Sequence, residues 1–562
     1  MQSYAHLPKK WRLARVSILL GTVALLGVSM LLAACGPTPP GTSSIKKGGT
    51  ITEVISQEPD SLLPFAAGLT FSVLVDNSIW APLWYSDNQI PATLHPGLAK
   101  VVPSLSNGGI SADAKTYTIH MNPGLKWSDG QPLTADDVAF TINTFANPDF
   151  GAVGFPTTEG ISATATDSTT VTVTLTTPDV TLVALLADPV AAPMPKHVFG
   201  SMKAADMTKS NENNAPSVSS GPFVVSDRKQ GDSITVKKNR NFYMGPDKPY
   251  LDGITFKMIG DTTTILTAAQ AGQFDAAWFV PINDLDSYKA LPEYNTGYDR
   301  VGTSYEGAYF NMKSPILQDK LVRQALAQSF DPKEIISTIW KGTATYTCDD
   351  NPGNAAHSTD LIGATGCYTV NQEAAGKLLD QAGWTMGSDG YRHKGGKVLE
   401  LRYSTTAGRK YREDSELIAQ AAWKRIGVKI KIVNYPARVL FANDKSGILC
   451  SGNYDIAEFA RGSTIDPDDH SIWASDQLCP NGGNNSFYKN DTVDQLYKDE
   501  TSNPDMTKRL QDLKQIQKQL IDDAVVVWLY AFPNIYVSKK TLKGYTPSAF
   551  AQDTWNCYDW HK

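Results

Sequence analysis

Ser415-Glu-Leu-Ile-Ala-Gln-Ala-Ala-Trp-Lys-Arg-Ile-Gly-Val-Lys-Ile-Lys-Ile432 holds two different periods in one short stretch. As far as Ile426 the apolar residues Leu417, Ile418, Ala421, Ala422 and Ile426 recur at helical spacing, so a helix with these residues facing inward is expected. Gly427 ends it, because glycine enters the left-handed conformation that closes a helix without a Cβ penalty. Val428-Lys-Ile-Lys-Ile432 then alternates strictly, the period of a half-buried strand. Helix, glycine stop and strand in immediate succession are the rhythm of an α/β layered domain.

Working outward, the same grammar recurs. Residues 371–383 read as a helix with Ala374, the stem of Lys377, Leu378 and Ala382 inside and Gly383 as its stop. Asp331-Pro332 starts another, with aspartate as N-cap and proline at the first helical position. Thr134 with Asp137 three residues later is a capping-box variant, opening a helix towards Phe145. Val171-Thr-Val-Thr-Leu175 is a second alternating strand.

The N-terminus decides the compartment. Lys9, Lys10, Arg12 and Arg15 precede an apolar run from Val16 to Leu32, the plan of a bacterial export signal. Leu32-Ala-Ala-Cys35-Gly36 follows and resembles a bacterial lipobox, in which Cys35 accepts a diacylglyceryl group; two or more acyl chains make such an anchor stable. An uncleaved membrane anchor is the alternative, and both place the rest of the chain outside the cell. Residues 35–47 are rich in Pro, Gly and Ser, a flexible tether. With a signal over 1–34, roughly 520 residues remain beyond the tether, too many for one core, so at least two lobes are expected.

The chain carries a net charge of −6, and without the four basic residues of the leading segment the remainder carries −10. No basic patch is present, which argues against nucleic acid as a partner. Five cysteines follow Cys35. In an exported protein nearby pairs oxidise, so Cys348–Cys367 and Cys450–Cys479 are the expected bridges and Cys557 is left over, although spacing alone does not fix connectivity. No CxxC or Cys/His metal pattern occurs, and no cofactor or metal is expected.

Lys126-Trp-Ser-Asp-Gly-Gln-Pro-Leu-Thr-Ala-Asp-Asp-Val138 resembles the signature of solute-binding protein family 5, receptors for dipeptides, oligopeptides, nickel chelates and some sugars. Gly48-Gly-Thr-Ile-Thr52, Ser220-Gly-Pro-Phe223, Val322-Arg-Gln-Ala325, Leu378-Leu-Asp-Gln-Ala-Gly-Trp384 and Asn453-Tyr-Asp455 stand in the family's order, so the resemblance runs from about residue 48 to 546. It implies an α/β fold of the periplasmic-binding-protein-like kind (type II, cluster C), with two lobes and an extra inserted subdomain. Lobe I is then expected from 48–84, 190–298 and 533–562, the insertion from 85–189, and lobe II from 299–532. Two crossing segments, near Tyr305–Phe310 and Val526–Tyr530, are expected to form the hinge. The implied partners are a small peptide or peptide-like ligand, the permease and ATPase subunits of an ABC importer, and the membrane through the anchor, with the chain itself a monomer.

The resemblance also implies ligand-facing loops bearing Thr70, Phe71 and Trp278, with Tyr305 at the hinge and Arg409, Arg461 and Ser463 from lobe II. Core packing for the aromatics and a solvated surface for Arg409 are the competing readings. Peptide receptors of the family hold the peptide's amino terminus with an aspartate a few residues before a DP or EP dipeptide. Here the loop reads Phe459-Ala-Arg-Gly-Ser-Thr-Ile-Asp-Pro467, which puts Ser463 at that position. Arg461 would repel an ammonium, and Asp466 replaces the aspartate only if the loop is remodelled. Ordinary dipeptides are therefore not the expected ligand; an oligosaccharide, a metal chelate, or a sensor role without import stay open.

Enzyme classes fit poorly. Neither GxSxG nor HExxH occurs. Ser226-Asp-Arg-Lys229 satisfies SxxK, but it follows a strand pattern and no KTG occurs. Asp466-Pro-Asp-Asp-His470 lacks the glycine and distal Glu of a calcium loop. It reads as a helix cap with Ile472 and Trp473 packed behind.

Overall fold

The computed structural model describes residues 45–562 apart from 153–159, 299–301, 359, 362–366 and 481. The export segment, Cys35 and most of the tether lie outside the described residues. No helix among the described residues is long and apolar enough to cross a membrane.

Two large sheets organise the body. The first runs in the order Tyr294–Tyr298, Ile535–Lys539, Ala276–Trp278, Thr50–Ile55, Gly253–Met258, Ser233–Lys238, Phe223–Lys229. Thr50–Ile55 is parallel to both its neighbours, and the outer pairings are antiparallel. The second sheet runs Lys429–Ile432, Glu400–Ser404, Ile456–Gly462, Ser304–Phe310, Val526–Phe532. Its first three strands are parallel and its last two pairings antiparallel. A third sheet of Thr116–His120, Thr170–Leu175 and Ile161–Ala165 carries the helix Ala135–Phe145 on one face.

Strand alternation distributes the cores. Ile51 and Ile55 enter a core shared with the third sheet, whereas Val54 enters a second one. In Ser304–Phe310, Ala308 and Phe310 join that second core while Tyr305 and Tyr309 join a third on the other face, with Phe459, Trp473 and Trp528. A strand whose side chains are apolar on both faces is buried on both faces.

Local signals set the helix ends. Thr134 and Asp137 form a full capping box, the Thr134 N–H donating to the Asp137 carboxylate at 2.9 Å. Asp331 accepts from the Lys333 N–H, Asn371 from the Ala374 N–H, and Gly427 takes φ +82°. Ser226 lies within the strand Phe223–Lys229. Disulfides join Cys348 to Cys367 and Cys450 to Cys479, and Cys557 is a buried free thiol.

Two helical faces differ from the expected ones. Gln372–Gln381 packs on Lys320–Ser329 and buries Ala375 and Leu379, with Ala382 just beyond; Ala374 and Leu378 are half-buried, and Lys377 is exposed and paired with Glu373 at 2.7 Å. The second helix begins at Lys410, not Ser415, and its inner face is Arg412, Ser415, Glu416, Ala419, Ala422 and Trp423, with Ile426 at its end. Leu417 and Ala421 point outward. The reason is electrostatic: Arg412 reaches inward to Glu306, donating from Nε at 2.7 Å, so the first turns of this helix turn a polar face to the interior.

Candidate functional site

The strand directions place a cleft. In the first sheet Thr50–Ile55, Gly253–Met258, Ala276–Trp278 and Tyr294–Tyr298 all end at one edge, and Ile535–Lys539 starts there. In the second, Glu400–Ser404, Lys429–Ile432, Ile456–Gly462 and Val526–Phe532 end at one edge, where Ser304–Phe310 starts. Among the described residues the chain passes between the two sheets twice, beyond Tyr298 towards Ser304 and from Phe532 to Ile535. Each links one carboxyl edge to the other, so the two edges face each other. The crevice outside the carboxyl ends of parallel strands is where open α/β sheets bind ligands.

On the first edge, Ala276–Trp278 runs directly into Phe279, which takes φ +61°. A phenylalanine in the left-handed region is strained, and such strain marks functional sites more often than frameworks. Phe279 lies against Trp278, ring centroids 4.0 Å apart, and meets Phe71 edge-on at 5.9 Å. Phe71 and Phe279 are half-buried, Trp278 is buried with its indole N–H unpartnered, and Thr70, first residue of the helix Thr70–Ile79, is exposed. The turn before that helix is tied by Asp60, which accepts from the Ser72 hydroxyl at 2.5 Å and the Gly68 N–H at 3.1 Å.

On the second edge, Tyr305 stands opposite Arg461 in register. Tyr305 is fully buried. Arg461 stacks its guanidinium over Tyr309 and Phe459, 5.1 Å from each centroid, and donates from Nη2 to the Gly483 carbonyl at 2.7 Å. Ser463 is buried and donates to the Pro352 carbonyl at 2.6 Å. Asp466 turns elsewhere: Arg509 binds both its oxygens, at 2.8 and 2.6 Å, and also donates to Glu500 at 2.9 Å. Arg409 is exposed at the start of the helix Lys410–Arg425. Tyr305, Arg461 and Ser463 therefore lie together at the end of the second sheet, Thr70, Phe71 and Trp278 lie together at the end of the first, and Asp466 and Arg409 lie on separate arms of the second edge.

The charge at this patch differs from what Arg461 alone suggests. The loop that begins at the Cys348–Cys367 bridge buries Asp349, Asp350, Asn351 and Asn354. The Asn351 amide donates to Asp469 at 3.1 Å, and Asp350 accepts from the Trp473 indole at 2.5 Å. Burial pushes Asp350 up to about 6 and Asp469 well above the ordinary carboxylate range, while the positive charge of Arg461 pulls both down. Arg461 is thus the local counter-charge of an acidic interior. This loop also bridges towards the first sheet: a side chain at Gly353 (φ +85°) would meet Thr303 and, across the cleft base, Ile90 and Phe550 at 3.6–3.7 Å. Phe279 and Asp350 escaped the sequence reading, and Asp469 entered it only as part of a helix cap. The pair Trp278-Phe279 was a visible aromatic signal, but nothing local ties residue 350 to residue 469.

The model of the bacterial extracellular solute-binding proteins, family 5 (middle region) matches residues 93–483. The oligopeptide-binding protein AppA of Bacillus subtilis (strain 168) is 28% identical over 549 residues, covering 94% of this chain and 96% of that protein. The structure of B. subtilis AppA in complex with a nonapeptide aligns with a TM-score of 0.76 at 26% identity, covering 92% of this chain and 99% of the other. CtaP, an ABC transporter substrate-binding protein from Listeria monocytogenes, aligns with a TM-score of 0.77 at 25% identity, covering 91% and 99%.

Proposed function

The chain belongs to the bacterial extracellular solute-binding proteins, family 5, and on that premise we propose that it captures a peptide of more than two residues, or a peptide-like solute, and passes it to the permease and ATPase of an ABC importer. The observation that carries this is the pair of short connections setting two carboxyl edges face to face. A ligand lying between them touches both sheets at once, so its binding energy favours the closed arrangement over the open one. In this proposal lobe I comprises 48–84, 190–298 and 533–562, lobe II comprises 299–532, and 85–189 is inserted into the first.

The facing patches divide the work. Thr70, Phe71, Trp278 and Phe279 supply an aromatic wall with little polar demand, Arg461 supplies the polar side with the buried Tyr305 packed beside it, and Arg409 stands apart on its own arm. A few fixed polar groups on an apolar wall suit a ligand of varied side chains held along its backbone. Ser463 and Asp466, committed to Pro352 and to Arg509, leave no free carboxylate at the position where dipeptide receptors hold an ammonium. Longer peptides, bound along their length, follow from that. No bond is made or broken in the cleft.

Mass spectrometry of whatever co-purifies, followed by calorimetry against di-, penta- and nonapeptides, tests this. Longer peptides should bind at least about tenfold more tightly than dipeptides. Tight dipeptide binding, or turnover of a peptide in proportion to protein, would overturn it. We also propose that Cys35 carries the lipid. Cys35→Ala should abolish diacylglyceryl labelling of the chain, and labelling that persists in that variant would count against the anchor.

A further inference from the structure

A slot opens between the end of the helix Thr70–Ile79, the strand Trp84–Ser86 and the segment 551–558. The helix carries Thr70 and Phe71 in its first turn and Asn77 in its last, so the slot lies about 10 Å along the helix from the aromatic wall of the cleft. Trp80, Tyr85, Phe242, Tyr243, Trp555 and Tyr558 line it. With its open mouth it encloses about 440 Å³, yet only about 40 Å³ of that is wide enough to take the centre of a water molecule. The space is therefore thin, the shape of a flat group.

The rings are held from behind. The Trp80 indole N–H donates to the Leu62 carbonyl at 2.9 Å, and that of Trp555 to the Thr546 carbonyl at 2.7 Å. Phe242 packs on Tyr243 and Tyr558, ring centroids 4.9 and 6.0 Å away, and Tyr85 meets Trp555 at 6.3 Å. Two polar groups interrupt this lining. Asn77 is only 7% exposed, and its amide nitrogen donates to the Ala551 carbonyl at 3.1 Å and to the Thr554 hydroxyl at 3.2 Å. A carbonyl only accepts, so the nitrogen is fixed on that side and the Asn77 side-chain oxygen is left over. That oxygen and the hydroxyl of Ser86, a residue 2% exposed, make no hydrogen bond to any described residue, and both residues line the slot. Polar groups this buried are costly to leave without a partner.

We propose that the slot binds a small neutral aromatic molecule with one hydrogen-bond donor on its ring, of the indole or phenol class, the donor meeting the Asn77 oxygen and the ring lying between the aromatic walls. An organic cation fits less well, because no carboxylate lines the slot and the Lys248 ammonium already lies 5.6 Å from the Tyr558 ring centroid. An anion fits less well, because no lysine or arginine lines it and burial keeps the Tyr243 and Tyr558 phenols above their ordinary value and uncharged. A sugar is too thick, and it brings more hydroxyls than two polar groups satisfy. The site is independent of what the main cleft captures.

Calorimetry on the full-length protein in detergent is the test, with indole as the probe and 1-methylindole, which keeps the ring and lacks the N–H, as its counterpart. Indole should bind saturably at one site, and 1-methylindole at least about tenfold more weakly. Ser86→Phe puts a ring into the slot and should abolish indole binding. The comparison of the two indoles on the unaltered protein stands whether or not that variant folds. Absence of saturable indole binding would overturn the proposal, as would 1-methylindole binding as tightly as indole, or indole binding that survives Ser86→Phe undiminished.

Discussion

Glu458 sits within the strand Ile456–Gly462 with no exposed surface, accepting from the Tyr403 hydroxyl at 2.6 Å. Burial, with the charge of Glu306 behind it, raises its carboxyl from the ordinary 4.5 to about 8. The folded value lies above the unfolded one. Its stabilising contribution is therefore complete below about pH 4.5 and is lost as pH climbs through about 8, at up to about 1.4 kcal/mol per pH unit. Glu458→Gln mimics the protonated form, so its urea midpoint should match the unaltered protein at pH 5 and exceed it increasingly towards pH 9. Parallel pH profiles would show that Glu458 does not titrate in this window. Residues of this kind are hard to read in sequence. Thr134 with Asp137, Asp331 with Lys333 and Gly427 are legible because each partner lies within one turn. Asp466 finds Arg509 at a separation of 43 residues, and the sequence offers no hint that this aspartate is already taken.

At the scale of the element, the helix Lys410–Arg425 shows why period alone misplaces a face. Hydrophobic spacing selects Leu417, Ile418, Ala421, Ala422 and Ile426, but the fold selects by partner. Arg412 must reach Glu306, Glu416 accepts from the Asn434 amide at 2.8 Å, and Trp423 donates its indole N–H to the Leu326 carbonyl at 3.0 Å. Those three fix the rotation and carry Leu417 outward, 53% exposed. Leu417→Ala should change the unfolding free energy by no more than about 0.5 kcal/mol, whereas Trp423→Ala should cost about 3–5 kcal/mol. Equal costs for the two would restore the periodic face. The alternating strands gave no such trouble. Thr170–Leu175 and Lys429–Ile432 stand where Val171–Leu175 and Val428–Ile432 alternate, because a pleat has only two faces and a buried polar residue cannot rotate it gradually.

For the whole molecule, periodicity finds each strand without saying which sheet receives it. Thr50–Ile55, Ala276–Trp278 and Ile535–Lys539 lie side by side although most of the chain separates the first from the last. Only resemblance at the level of the family supplies that connectivity in advance, and it leaves open how the inserted segment meets the second sheet. The contact is concrete: Val180 N–H to Thr501 carbonyl at 2.9 Å, with Asp179 facing the Asp466–Arg509 pair. Tyr305–Phe310 and Val526–Tyr530, the expected hinge, are paired within one sheet; if closure instead turns where the chain passes between the sheets, beyond Tyr298 and at 532–535, this contact forms and breaks with it. A backbone hydrogen bond between neighbouring segments leaves their Cα atoms about 5–6 Å apart, within reach of a disulfide. Val180→Cys combined with Thr501→Cys should therefore oxidise to a bridge that holds the closed state. A protein loaded with peptide before oxidation should then release it at least about tenfold more slowly than either single variant. Its small-angle scattering profile should also no longer respond to ligand. A bridged protein that exchanges peptide as fast as the single variants would place the moving joint somewhere other than these two connections.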